Sequence, residues 1–286
     1  MKTLKYFIQF LIIFVFFLIF KILGLKFSSY ISGKIVFIIG PFFRSRNLIR
    51  SNILKALPNS DENKIKKISK MMWQNYGRIL AEYMFIKEFR RSKVKDNIEI
   101  IGQKKLDAIK ESNDPVIFIS GHFNNFELMA MHLEKSGINL AAIYRPLNNK
   151  FLNFIMEKIR KKYICKNQIK KGLSGTKQLL SFFKTKTSIA LMIDQRVSQG
   201  VRSNFFQHKA FTTTIPAQFV KKFKCKIVPI YIERTEGVKF KLTIHNSIEY
   251  SNTETIESIT LSLNTLLEKM ILKNPEQWIW SHNRWK

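Results

Sequence analysis

One short segment restricts the possible folds more than any other. Val116-Ile117-Phe118-Ile119 is an uninterrupted apolar run that reads as a buried strand, and Leu128-Met129-Ala130-Met131-His132-Leu133 has the apolar density of a helix packed on a sheet. Between them lie only Ser120 and the seven residues Gly121-His122-Phe123-Asn124-Asn125-Phe126-Glu127. A buried strand that turns at once into a helix is the first half of a βαβ unit. In open α/β sheets ligands bind in the crevice beyond the carboxyl ends of the strands. His122 and Glu127 fall in that crevice. A helix starting near Asn124 or Asn125 would use one of them as its cap. Glu127 would then sit in the first turn and fold back to hold Nδ1–H of His122, leaving Nε2 free to accept a proton. The spacing leaves two readings open: a general base with its orienting acid, or a lone structural histidine.

The rest of the chain repeats the alternation. Strands are predicted at 97–101, 116–120, 139–144, 188–193, 226–232 and 240–246. Helical patterns lie near 124–136, 149–163, 174–184 and 214–224, with a final helix near 254–273. This implies an α/β fold with a mostly parallel central sheet flanked by helices and right-handed crossovers. The stretch 196–213 is long for a βα connection and reads as a functional loop.

The beginning of the chain is different. Tyr6 to Phe20 carries no charge, Lys2 and Lys5 precede it, and Lys21 and Lys26 follow. If Lys21 snorkels, the apolar stretch reaches Leu25 and the ~20 residues needed to span a bilayer. A signal peptide competes, but no small-x-small cleavage site follows. A second apolar segment, Ile35 to Phe43, is too short to span and reads as interfacial or docked on the domain. The expected organisation is a membrane anchor with its interfacial segment at 1–43, then a catalytic domain at 44–286. That domain comprises an amphipathic helical lead-in (44–92) and an α/β core (96–286). The cationic excess after residue 43 puts the domain on the cytoplasmic side, while spanning and monotopic anchors both remain open.

Forty-nine Lys and Arg against 20 Asp and Glu give a formal charge of +29. Such a field favours anionic partners: phospholipid surfaces, phosphorylated ligands, acidic proteins or nucleic acid. Only 12 of the cations are Arg, so Arg145, Arg196, Arg234 and Arg284 stand out, because the guanidinium fork grips carboxylates and phosphates in a way Lys does not. Cys165 and Cys225 have neither CxxC nor zinc spacing and read as free thiols. The histidines are scattered, and no Walker, GxGxxG, HExxH or GxSxG pattern occurs, so neither a metal nor a cofactor is expected. Trp278, Trp280 and Trp285 suit core packing or a membrane interface better than base stacking, so no nucleic acid is expected.

Two further strand ends bring polar groups to the edge that holds His122: Tyr144-Arg145-Pro146 and Asp194-Gln195-Arg196. They read either as parts of one site or as a structural Arg145–Asp194 ion pair.

Taken in order, these motifs resemble the lipid A biosynthesis acyltransferases, the late lauroyl and myristoyl transferases of Gram-negative bacteria. The resemblance is carried by the N-terminal anchor, Asn75-Tyr76-Gly77-Arg78 with Glu82, the Gly121–Glu127 segment, Tyr144-Arg145-Pro146-Leu147-Asn148, Asp194-Gln195, Phe205-Phe206, Thr212-Thr213 with Pro216, and above all Pro275-Glu276-Gln277-Trp278-Ile279-Trp280-Ser281-His282-Asn283-Arg284-Trp285. One departure is Gln207, where the family usually has Gly after the paired Phe. The Glu-Gly-Thr-Arg segment of the related glycerolipid acyltransferases is missing, which argues against glycerol 3-phosphate as acceptor.

The resemblance implies a glycerolipid-acyltransferase-like fold and transfer of an acyl chain from acyl carrier protein to a hydroxyl of a phosphorylated, Kdo-bearing lipid A precursor at the inner membrane. Acyl carrier protein, the precursor's phosphates and anionic inner-membrane lipids all suit the positive charge. The expected catalytic set is His122 as base, Glu127 as its orienting acid, and Arg145 or strand-end backbone N–H groups as oxyanion donors. Asn125, Asp194, Gln195, Arg196, Arg234 and Arg284 are the expected substrate-binding residues, the last three as phosphate grips. The alternatives are the same fold acting on another membrane lipid, or a non-enzymatic basic membrane or nucleic-acid-binding protein.

Overall fold

The computed structural model describes residues 2–91 and 97–286, so the junction between the helical lead-in and the α/β core lies outside the described residues. Helix α1 (Lys2–Ile39) is long and apolar enough to cross a membrane. It breaks at Gly24, whose φ of 75° lies in the left-handed region, so the two apolar segments form one broken helix, followed by a single 3-10 turn, Gly40–Phe42. Most of its apolar side chains are exposed, among them Phe7, Ile12, Phe16 and Ile19. Its small residues form the docking stripe. Ser32 Oγ donates to the Gly77 carbonyl at 2.6 Å, and a Cβ on Gly77 would meet the Ser32 carbonyl oxygen at 2.2 Å. Glycine is therefore required at 77 for this helix crossing.

Helix α2 (Arg46–Ala56) and helix α3 (Glu62–Glu82) follow, capped by Ser45 and Asp61. Buried Ile65, Ile68, Met72 and Trp73 recur at helical spacing on α3. Helix α4 (Ile86–Arg90) ends this lead-in.

The core is a seven-stranded sheet in the order β1-β9-β8-β2-β5-β3-β4. Its strands are β1 (Ile98–Ile101), β2 (Ile117–Ser120), β3 (Leu140–Tyr144), β4 (Asn167–Lys170), β5 (Ser188–Met192), β8 (Ile227–Glu236) and β9 (Lys239–Ile244). Every neighbouring pair is parallel except β8 with β9, joined by a tight turn at Gly237. All four residues of β2 are buried, as expected of a central strand covered on both faces. The covering helices are α5 (Gln103–Ser112), α6 (Glu127–Lys135), α7 (Lys150–Ile159), α8 (Leu173–Lys184), α9 (Ile215–Phe223) and α10 (Ile256–Lys273). The fold is the expected mostly parallel α/β sheet flanked by helices, with an apolar N-terminal helix.

Three elements depart from the expectation. Asn167–Lys170 is a strand, although only Ile169 in it is apolar. The loop at 196–213 contains a hairpin, β6 (Val201–Phe205) with β7 (His208–Thr212). Its two turn residues, Phe206 and Gln207, have φ of 50° and 61°, so Gln207 adopts the backbone a glycine would favour. Helix α6 starts at Glu127, not at Asn124 or Asn125, and has no side-chain cap.

Candidate active site

The parallel register assembles the site. Ser120 pairs with Met192 across β2 and β5. Two residues further along each strand, beyond the last ladder bonds, His122 and Asp194 come opposite each other. Asp194 is fully buried. One carboxylate oxygen accepts Nδ1–H of His122 at 2.7 Å. The other accepts the backbone N–H of His122 at 2.7 Å and the indole N–H of Trp278 at 2.9 Å. Burial alone pushes the Asp194 carboxyl up, but the adjacent His122 and these N–H donors outweigh it and hold the group below the usual carboxylate range. An ionised Asp194 accepting at Nδ1 leaves Nε2 of His122 as the free ring nitrogen.

The imidazole is about one-fifth exposed. Phe126 packs edge-on against it, with ring centroids 4.8 Å apart. A cavity of about 30 Å³ opens beside it, lined by His122, Tyr76, Asn124, Phe126, Gln277 and Trp278 among others. The Gln195 side-chain amide nitrogen lies 3.5 Å from Nε2 of His122. A base with a free nitrogen, its orienting carboxylate and a nearby amide donor make an arrangement suited to removing a proton from a bound hydroxyl.

Glu127 does not hold His122. As the first residue of α6 it is buried against Arg160, which follows α7, and the Arg160 Nε donates to it at 2.9 Å with a second bond from Nη2. The expected pairing failed because α6 begins three residues later than its apolar pattern suggests. Glu127 therefore turns toward α7 rather than back over the loop. Asp194 likewise pairs with His122 and not with Arg145. Arg145 is exposed at the end of β3.

Asn125 is fully buried and donates to Glu82 at 3.1 Å. Asn124 sits at φ 43° and bonds Gln277 through both its backbone N–H, to the Gln277 carbonyl at 3.0 Å, and its side chain. Arg234 is not a free phosphate grip. Its guanidinium forks onto buried Glu82 at 2.6 and 3.0 Å, and Ser29 of α1 donates to the same carboxylate at 2.7 Å. Glu82 thus ties α1, α3, β8 and the His122 loop together. Arg284 is also taken: it is fully buried and donates to the Phe211 carbonyl at 2.6 Å and Thr212 Oγ1 at 2.8 Å. Arg196 is partly exposed. Its backbone N–H donates to His282 Nε2 at 3.1 Å, while its Nε is buried without a partner.

The C-terminal tryptophan-rich segment is core rather than membrane interface. Trp278 and Trp280 are almost wholly buried, and Trp285 donates to the Phe205 carbonyl at 3.0 Å. The segment clamps the β6–β7 hairpin and presents the Trp278 indole to Asp194. Burial, partly offset by Asp194, drops His282 to about 4, with His122, Arg284 and Lys171 adding to the fall, which fits its acceptance of the Arg196 N–H. Sequence reasoning missed the His122–Asp194 pair although a signal was present. Both residues stand two positions past the last residue of neighbouring apolar strands.

A family model of the bacterial lipid A biosynthesis acyltransferases matches residues 1–286. The chain is 22% identical over 253 residues to the lipid A biosynthesis palmitoleoyltransferase of Escherichia coli K12, covering 86% of this chain and 80% of that protein. It is 23% identical over 249 residues to a lipid A biosynthesis acyltransferase of Haemophilus influenzae, covering 85% and 78%. It is 21% identical over 251 residues to the E. coli K12 lipid A biosynthesis lauroyltransferase, covering 85% and 79%. With its strand-end histidine and its match along the whole length, the chain belongs to the bacterial lipid A biosynthesis acyltransferase family.

Proposed function

We propose that this protein transfers a fatty acyl chain from acyl carrier protein to a hydroxyl on a hydroxyacyl chain of a Kdo-bearing lipid A precursor. The observation that carries the chemistry is the His122–Asp194 pair, with His122 lining the cavity beside it. In this reading Nε2 takes the proton of the acceptor hydroxyl as its oxygen attacks the thioester carbonyl. Asp194 keeps the proton on Nδ1 and stabilises the imidazolium. Collapse of the tetrahedral intermediate breaks the carbon–sulfur bond, and the imidazolium returns its proton to the leaving thiolate. The side-chain amide of Gln195 is the nearest N–H donor to Nε2 and takes the role of oxyanion donor in place of Arg145. Glu127 acts at one remove, by fixing the start of α6 against Arg160.

The setting supports the same reading. The formal charge of +29 suits an acidic carrier protein, a phosphorylated acceptor and an anionic leaflet. The apolar face of α1 anchors the chain at the inner membrane, with the catalytic domain on the cytoplasmic side. Mass spectrometry of lipid A from cells lacking this gene tests the assignment. One secondary acyl chain should disappear, and its mass gives the chain length. Unchanged lipid A would overturn it.

A further inference from the structure

Arg145 and Lys171 stand side by side at the end of the sheet. Tyr144 pairs with Lys170 across the parallel β3–β4 ladder, and the Lys171 backbone N–H donates to the Tyr144 carbonyl at 2.9 Å. The next residue on each strand is therefore a cation opposite a cation. Both side chains are exposed, and among the described residues neither meets a carboxylate. Lys170, one position back, has Glu157 at 3.4 Å. Partial burial of its nitrogen lowers the Lys171 ammonium, and the charge of the neighbouring Arg145 lowers it further.

The same row leads to His122. Ala142 pairs with Ala190 across β3 and β5, so carrying the register two residues on aligns Tyr144 with Met192 and hence with Ser120. In the order β2-β5-β3-β4, with ~4.8 Å between strands, Arg145 lies about 10 Å and Lys171 about 14 Å along the edge from the His122 strand. Arg196, following β5 between them, holds a buried Nε with no partner. His282 accepts the Arg196 backbone N–H at 3.1 Å, which fixes the start of the Arg196 loop at this end of the sheet. Arg234, the other arginine near the edge, is held inside the protein by Glu82, and Arg284 is fully buried with both terminal nitrogens bonded to Phe211 and Thr212.

We propose that Arg145, Lys171 and Arg196 form a subsite for a phosphoryl group of the substrate, set along the sheet edge from the proton-accepting histidine. Three cations of which two are exposed and unpaired, and the third has an unused buried N–H, match a doubly charged phosphate with several acceptor oxygens. The proposal deepens the acyl-transfer reading and rests on it for the identity of the substrate. The phosphoryl group belongs either to the acceptor lipid or to the phosphopantetheine arm of the donor.

Two measurements on the full chain in non-ionic detergent test it. In the first, calorimetry follows binding of inorganic pyrophosphate. Wild type should bind one equivalent, Arg145→Gln/Lys171→Gln should weaken binding about tenfold or more, and His122→Ala and the distant control Lys221→Gln should leave it unchanged. Absence of binding, or equal binding by the double variant and wild type, overturns the subsite. In the second, steady-state acyl transfer is measured with the double variant. A rise of about tenfold in KM for the phosphorylated acceptor, abolished when the acceptor is dephosphorylated, assigns the group to the acceptor. A rise confined to KM for acyl carrier protein, absent with an acyl-pantetheine lacking phosphate, assigns it to the donor. Unchanged KM values for both substrates overturn the proposal. If wild type transfers no acyl chain at all, the acyl-transfer reading fails, and the pyrophosphate measurement still decides the subsite.

Discussion

Replacing Asp194 with Asn separates the His122–Asp194 assignment from the alternative in which Glu127 orients the histidine. The carboxylate oxygen lies 2.7 Å from Nδ1 of His122, which puts the centres of the two charges ~4 Å apart. At an effective dielectric constant of about 20, an imidazolium formed during reaction gains roughly 4 kcal/mol from that carboxylate. Losing it corresponds to about a thousandfold in kcat, since each ~1.4 kcal/mol is one power of ten. Asn also sets an N–H₂ among groups that all donate: Nδ1–H and the backbone N–H of His122, and the Trp278 indole. A buried donor left facing donors costs about 1–3 kcal/mol, so Asp194→Asn should unfold earlier yet remain folded at 25 °C. Glu127→Gln is the counterpart. It breaks a buried ion pair with Arg160 at a cost of about 3–5 kcal/mol in stability, and should keep turnover within about tenfold for the folded fraction. The assay is initial-rate acyl transfer by each variant, normalised to folded protein from circular dichroism. Near wild-type turnover by Asp194→Asn, or a thousandfold loss in well-folded Glu127→Gln, would refute the assignment.

Other outcomes follow from single features. Gln207→Gly relieves a left-handed backbone in the hairpin turn, worth about 1 kcal/mol, and should raise Tm by roughly 2 °C in a thermal melt. Gly77→Ala drives a methyl group into the Ser32 carbonyl; it should cost about 1–3 kcal/mol and loosen α1, read as faster proteolysis near Gly24. Burial drops both His132 and His282 to about 4, below the ordinary ~6.5 of an unfolded histidine. Between those limits the unfolded state takes up protons that the folded state refuses, so stability falls as pH drops from ~6.5 toward 4. The slope is at most ~1.4 kcal/mol per pH unit for each histidine and roughly half that after allowing for their partial exposure, and Tm at pH 5 should be several degrees below Tm at pH 7. Burial pushes both cysteine thiols up to about 12, so Cys165 and Cys225 should react with a maleimide only after denaturation.

The strands legible in the sequence were those whose own apolar residues declare them. Val116–Ser120, Ser188–Ile193 and Lys226–Ile232 sit in the middle of the sheet, where both faces are buried and side-chain chemistry follows position. Asn167–Lys170 was not legible because an edge strand needs only one apolar residue, Ile169, to be held. The β6–β7 hairpin was hidden because its buried positions include Ser203 and Thr212 and its turn lacks glycine. The site was half legible. His122 stands out at a strand end, but the acid nearest to it in sequence, Glu127, suits only a helix start that lies elsewhere. Asp194 is 72 residues away, and only the β2–β5 register makes it a neighbour. Arg234 and Arg284 looked like ligand grips because exposed and buried arginines are indistinguishable in a sequence, and what occupies them, Glu82 and the β7 carbonyl edge, is set by tertiary structure. The C-terminal Trp-rich segment pointed to the family, while its physical task, holding Asp194 and clamping the hairpin, required the fold.

The most direct test of the central claim is the initial rate of acyl transfer by purified His122→Ala, from acyl carrier protein to a phosphorylated lipid A precursor, with folding checked alongside. If Nε2 of His122 removes the acceptor proton, the folded variant should lose about two to four powers of ten in kcat while KM for both substrates changes little. Near wild-type turnover in a folded His122→Ala protein would contradict the account.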